Sequence, residues 1–105
     1  MPKPKSSAEA APEPLSHLAT APWRVGTAYL IRTVTYHVVG RLVWVGPLEL
    51  VLEDAAWVAD SGRWNAALQS GQLSEVEPFP ARVIVGRGSI TDATEWTHLL
   101  PLAVK

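Results

Sequence analysis

Tyr29-Leu-Ile-Arg-Thr-Val-Thr-Tyr-His37 and, directly after it, Val38-Val-Gly-Arg-Leu-Val-Trp-Val45 are the runs that decide the fold. Both are rich in β-branched and aromatic residues and read as strands. Gly40 splits them, and a glycine inside a strand run marks a tight bend or bulge of the kind that curls a small sheet toward a barrel. Gly46-Pro47 is a turn signal. The next run, Glu49-Leu-Val-Leu-Glu-Asp-Ala55, puts Leu50 and Leu52 on one face of a third strand, with Glu49, Val51 and Glu53 on the other. The period then changes. Asp60 or Ser61 suits an N-cap, Trp64 and Leu68 stand four apart, and Gly71 suits the C-terminal stop, which predicts a short helix near 61–70. Residues 72–81 read as an acidic loop bounded by Pro78 and Pro80. Two short strands follow, Arg82-Val83-Ile84-Val85 and Ser89-Ile90-Thr91-Asp92, hinged at Gly86-Arg87-Gly88. The expectation is a mainly β domain over 23–105, five strands strongly bent into a small barrel, with one inserted helix.

Residues 1–22 differ in kind. They carry five of the nine prolines, at 2, 4, 12, 14 and 22, with Ala, Ser, Lys and Glu. That composition offers little apolar surface to offset ordering entropy, so it reads as an extended N-terminal arm. Leu15, Leu18 and Trp23 punctuate its end as small anchors. The arm is expected to lie across a neighbouring copy, with Leu15 and Leu18 buried there and Lys3 and Lys5 near acidic side chains.

Composition narrows the function classes. Nine Lys and Arg against ten Asp and Glu give a net charge of −1, which supplies no global field to attract nucleic acid or an anionic membrane. No cysteine is present, which removes disulfides, thiolate metal sites and thiol nucleophiles. The longest uncharged apolar stretch, 42–48, is far below the ~20 residues of a membrane span. His17, His37 and His98 lack metal-ligand spacing, and Glu53 and Asp54 are neighbours that a strand points to opposite faces. The reading is a non-enzyme with no cofactor and no metal, in the cytoplasm or in a particle. Among the five tryptophans, Trp57 and Trp64 are assigned to docking the helix, and Trp23, Trp44 and Trp96 to exposed margins where interface anchors are common.

Two spaced pieces resemble the Sm-like (LSm) family of ring-forming small barrels, which includes the Hfq-type RNA chaperones. Val39-Gly40-Arg41-Leu42 followed by Leu50-Val51-Leu52-Glu53-Asp54-Ala55 is similar to the family's bent strand and its "N-L-V-L-x-x-A" strand. Val83-Ile84-Val85-Gly86-Arg87-Gly88-Ser89-Ile90 is similar to its closing "I-R-G-x-x-I" signature. The resemblance implies a homo-oligomer whose strands on either side of the Arg-Gly hinge pair between subunits. It thereby names Arg82, Val83, Ile84, Val85, Ser89 and Ile90 as interface residues, joined by Leu15, Leu18 and Trp23 from the arm. It also implies a nucleotide contact at Arg87, Gly88 and position 49. That position holds Glu49 where the family has Asn, and a carboxylate repels a phosphate chain, which disfavours the usual pocket. The stretch 52–63 also resembles small proteins encoded by bacteriophages. The leading expectation is therefore a self-assembly module, a structural component of a phage-like particle or filament, whose partners are copies of itself and other particle proteins. The alternative is a ring that binds RNA.

Overall fold

The computed structural model describes residues 22–105. Residues 1–21, with Lys3, Lys5, Leu15 and Leu18, lie outside the described residues, and so does the expectation for the arm. The chain order is β1 (Ala28–Thr33), β2 (His37–Val45), β3 (Glu49–Asp60), α1 (Trp64–Ser70), β4 (Glu75–Pro78), β5 (Val83–Gly86), a 3-10 turn (Arg87–Ser89) and β6 (Ile90–Glu95). The sheet is antiparallel, in the order β4-β3-β2-β1-β6, and β5 pairs with β3 as well. Among the described residues the fold is mainly β with one short helix, as expected, but the sheet is open and has six strands rather than five.

The extra strand is β4, which falls in the segment read as a loop. Glu75, Glu77 and Pro78 disguise it, because only Val76 is buried. The backbone supplies the rest. Val58 faces Val76 across the ladder, and the outer side of β4 exchanges hydrogen bonds with Lys105, from Val76 N to Lys105 O at 3.1 Å and from Lys105 N to Val76 O at 3.0 Å. The C-terminal chain thus covers this edge.

The first reversal also differs from the sequence reading. The chain turns at 34–36, inside the run 29–37 read as one strand, while Gly40 marks a bulge in β2, one of the two roles expected of it. The side chain of Thr33, itself buried, builds that turn: its hydroxyl donates to Tyr36 O at 2.7 Å and accepts from Tyr36 N at 3.0 Å. Gly40 sits inside β2 at a register shift, where a Cβ would lie 2.8 Å from Ala55 Cβ. Only glycine permits that approach. Opposite it β3 kinks, because Asp54 has φ of 51°, a left-handed conformation that Asp tolerates better than most residues.

The kink resets which side of β3 is apolar. Before it, Leu50 and Leu52 join Tyr29, Ile31, Val38, Leu42, Val83 and Val85 in an inner core. After it, Ala56 and Val58 join Leu30, Val39, Ala67, Leu73, Val76 and Trp96 in an outer core on the opposite face. β1 and β2 are buried on both sides, which is why their sequence is apolar almost throughout. Helix α1 covers the outer core with Ala67, Trp64 and Leu68. It has no side-chain N-cap; Asp60 instead accepts from Gly62 N at 2.8 Å in the approach to the helix. Gly71 ends the helix at φ 76°, with its N–H on Ala67 O. His98 seals the same end by donating from Nε2 to Leu68 O at 2.8 Å, against the edge of Trp96.

Candidate functional site

β5 and β6 are joined by the 3-10 turn, yet each pairs on one side alone among the described residues, β5 with β3 and β6 with β1. Each therefore offers a free edge of backbone donors and acceptors. Val83 and Val85 point into the inner core, while Ile84 is 69% exposed on the outer face. Ile84 does not stand alone there. The register aligns Trp44 with Val51 and Val51 with Ile84, so an apolar row of exposed Trp44, half-buried Val51 and exposed Ile84 crosses β2, β3 and β5 and stops at the free edge of β5. An apolar row that reaches the surface on both sides of a strand is a mark of an interaction surface.

The hinge residues are arranged to hold this corner together. The Arg87 guanidinium donates to Gly46 O at 2.6 Å, and Arg87 N donates to Leu48 O at 2.9 Å, so the 3-10 turn is stapled to the β2–β3 turn. Ser89 Oγ donates to Gly86 O at 2.8 Å, closing the hinge on itself. Glu49 faces Gly86 across the ladder, and Gly88 has open space above its Cα. Among the described residues Arg87 forms no ion pair with Glu49. Ile90 and Trp23 pack against the inner core, and Trp23 meets Tyr29 edge to face at 5.0 Å.

A second bare surface lies beside the second half of β3, on the inner face. Tyr36, Trp57, Glu77, Pro78 and Phe79 line a groove of about 470 Å³. It continues past Tyr36 and Trp57 toward His37, Asp60 and Ser61, and past Phe79 toward Glu53, Asp54, Pro80 and Arg82. The sequence reading missed this surface by giving Trp57 to the helix. Trp57 is 40% exposed on the face away from α1, whereas Trp96, assigned to an exposed margin, is 5% exposed in the outer core, with Nε1 donating to Leu99 O at 3.1 Å. Trp44 is exposed as expected. The signal that marks the groove in sequence is Pro78-Phe79-Pro80, an aromatic flanked by prolines at the end of β4.

The arginines near these surfaces are engaged. Arg41 spans Glu53 and Asp54 across the β3 kink, and Arg82 donates from Nε to Glu53 at 2.7 Å. Arg32 forms a two-point pair with Asp92 while its guanidinium lies over the ring of Trp64, 4.7 Å from the centroid. The hydrogen bond from Arg32 holds the Asp92 carboxyl below its ordinary range. Exposed pairs like these fix local geometry more than they add stability. Among the described residues Nδ1 of His37 is buried without a hydrogen-bond partner, with the ring edge-on to Trp64.

Comparison of the chain with protein-family models, curated proteins and solved structures finds no match. No helix of the described residues is long and apolar enough to cross a membrane.

Proposed function

We propose that this chain is a non-enzymatic self-assembly module that joins copies of itself through the free edges of β5 and β6. The carrying observation is the apolar row Trp44, Val51 and Ile84 that runs out to an unpaired strand edge. An added strand on β5 satisfies the open backbone groups and covers Ile84 in one step. In this reading β1, β2, β3, β5 and β6 make up an Sm-like bent barrel, and β5 of one copy pairs with β6 of the next. Such a contact is head-to-tail, so it generates a ring if the rotation closes and a filament if it does not. The narrower reading, a structural component of a phage-like particle or filament, rests on the resemblance of residues 52–63. Against an RNA-binding ring stands the engagement of Arg87 by Gly46 O, which takes up a guanidinium that nucleotide binding needs.

Native mass spectrometry of the parent chain tests the proposal. A closed oligomer or a ladder of stoichiometries is expected. Ile84→Lys places a charge at the edge without touching the core, and Ile84→Pro stiffens β5; both should yield mainly monomer. A monodisperse monomeric parent ends the proposal. Tight binding to U-rich or A-rich RNA that weakens steeply with salt replaces it with the RNA ring.

A further inference from the structure

The groove of Tyr36, Trp57 and Phe79 plays no part in the edge-to-edge assembly, and its chemistry points to a definite occupant. Three aromatic side chains and two prolines form its floor, and they present flat apolar faces beside open solvent. The charges along its length are unequal. Glu53, Asp54, Asp60 and Glu77 supply four carboxylates, while Arg82 is the one guanidinium among the lining residues. Arg41 and Arg82 both pair with Glu53, Arg41 also pairs with the exposed Asp54, and Glu77 has no ion partner among the described residues. An occupant suited to this surface is extended, carries rings that stack on aromatics, and is basic. Proline-rich segments meet the first two requirements because fixed φ angles preset the extended helix at low entropic cost.

The chain carries such a segment. Met1-Pro2-Lys3-Pro4-Lys5 alternates proline with lysine, whereas the other proline pair, Pro12 and Pro14, brackets Glu13, which the acidic rim would repel. Reach is sufficient. The seventeen residues from Ser6 to Pro22 span up to about 56–61 Å when extended, more than the 41 Å longest dimension of the molecule. A tethered ligand also has an effective concentration far above that of a separate chain. We infer that residues 2–5 dock in the Tyr36–Trp57–Phe79 groove of their own chain, with Pro2 and Pro4 on the aromatic floor and Lys3 and Lys5 toward Glu77 and Asp54. The arm then folds back on its own domain rather than crossing to a neighbour.

The sequence has no cysteine, so Ser6→Cys creates a unique site for a nitroxide label in the full-length chain. Backbone amide spectra should show the strongest broadening at Tyr36, Trp57, Glu77 and Phe79, unchanged on tenfold dilution. In a mixture of labelled, NMR-silent chains with unlabelled, NMR-visible chains, that broadening should be absent. Lys3→Glu with Lys5→Glu, which leaves the folded domain untouched, should abolish it, as should Trp57→Ala with Phe79→Ala. Broadening that appears in the mixture assigns the groove to the arm of a second copy and overturns the inference. So does broadening centred elsewhere, or broadening that survives either double substitution. Native mass spectrometry reads the edge-to-edge assembly separately, so failure of one proposal is distinguishable from failure of the other.

Discussion

The two halves of β3 are covered on opposite faces. The first half, paired with β5, has its inner face filled by Val83, Val85 and Leu42, while its outer face is bare at Val51. The second half, paired with β4, has its outer face filled by α1, Trp96 and Leu73, while its inner face is bare at Trp57. The switch occurs at Asp54, where one left-handed residue moves the apolar side from one face to the other. A short chain can cover each half of a long strand once. What it leaves uncovered then falls on opposite faces, and the two surfaces differ in chemistry, one an apolar row at a free edge and the other an aromatic groove with an acidic rim.

The largest expected effect tests the covered and bare tryptophans against each other. Trp96→Ala opens a cavity beneath α1 and should cost about 4 kcal/mol in urea unfolding, as large-to-small core changes do, while Trp57→Ala should cost less than about 1 kcal/mol. Equal costs would break the comparison, because they would mean that the groove is part of the core. A smaller loss, about 3 kcal/mol, is expected for Gly40→Val, since a side chain there meets Ala55 and overpacks the junction of the halves. Both cores should loosen together, so near-UV circular dichroism and cooperative melting should fall in parallel; a variant as stable as the parent would show that β2 and β3 can separate at the kink. The smallest effect concerns pH. The carboxyl of Asp92 is held low by Arg32, so its contribution to stability is present above the unfolded value near ~3.9 and is lost as pH falls through the lower folded value. Asp92→Asn should remove that part of the acid dependence while changing neutral-pH stability little, since the pair is exposed. An unchanged acid profile in the variant would show that the pair contributes nothing.

Much of this architecture is legible in the sequence, and the failures have physical causes. Runs of Val, Ile, Leu and aromatics announce β1, β2 and the first half of β3, and Trp64, Leu68 and Gly71 announce the helix. The turn at 34–36 is hidden because Val34, Thr35 and Tyr36 are all strand formers, and the reversal is imposed by the Thr33 hydroxyl. β4 is hidden because a strand with one buried side chain carries almost no pattern. The exposures of Trp57 and Trp96 come out exchanged for a related reason. Alternation along β3 is interrupted at Asp54, so Ala55 and Ala56 are both buried and counting by twos from Leu50 places Trp57 wrongly. Trp96 reads as terminal, but His98 and Leu100 fold it beneath the helix. The sequence reading reached the edge strands, and it missed the groove because that surface exists only once β4 is beside β3.

The pairing of β6 with β1 also governs the order in which the chain can fold. The β1–β2 hairpin closes across a few residues, but Arg32 and Asp92 are 60 positions apart. Closing the longer loop costs about 2 kcal/mol more in chain entropy than closing the hairpin. The local meander therefore forms first, and β6 arrives late. Until it does, β1 presents an open ladder flanked by Leu30 and Ile31, a template far more apolar than the Thr-, Asp- and Glu-bearing strand that finally covers it. Late in its own assembly, then, β6 acts as an internal chaperone for β1, closing an apolar edge that would otherwise template pairing with another chain.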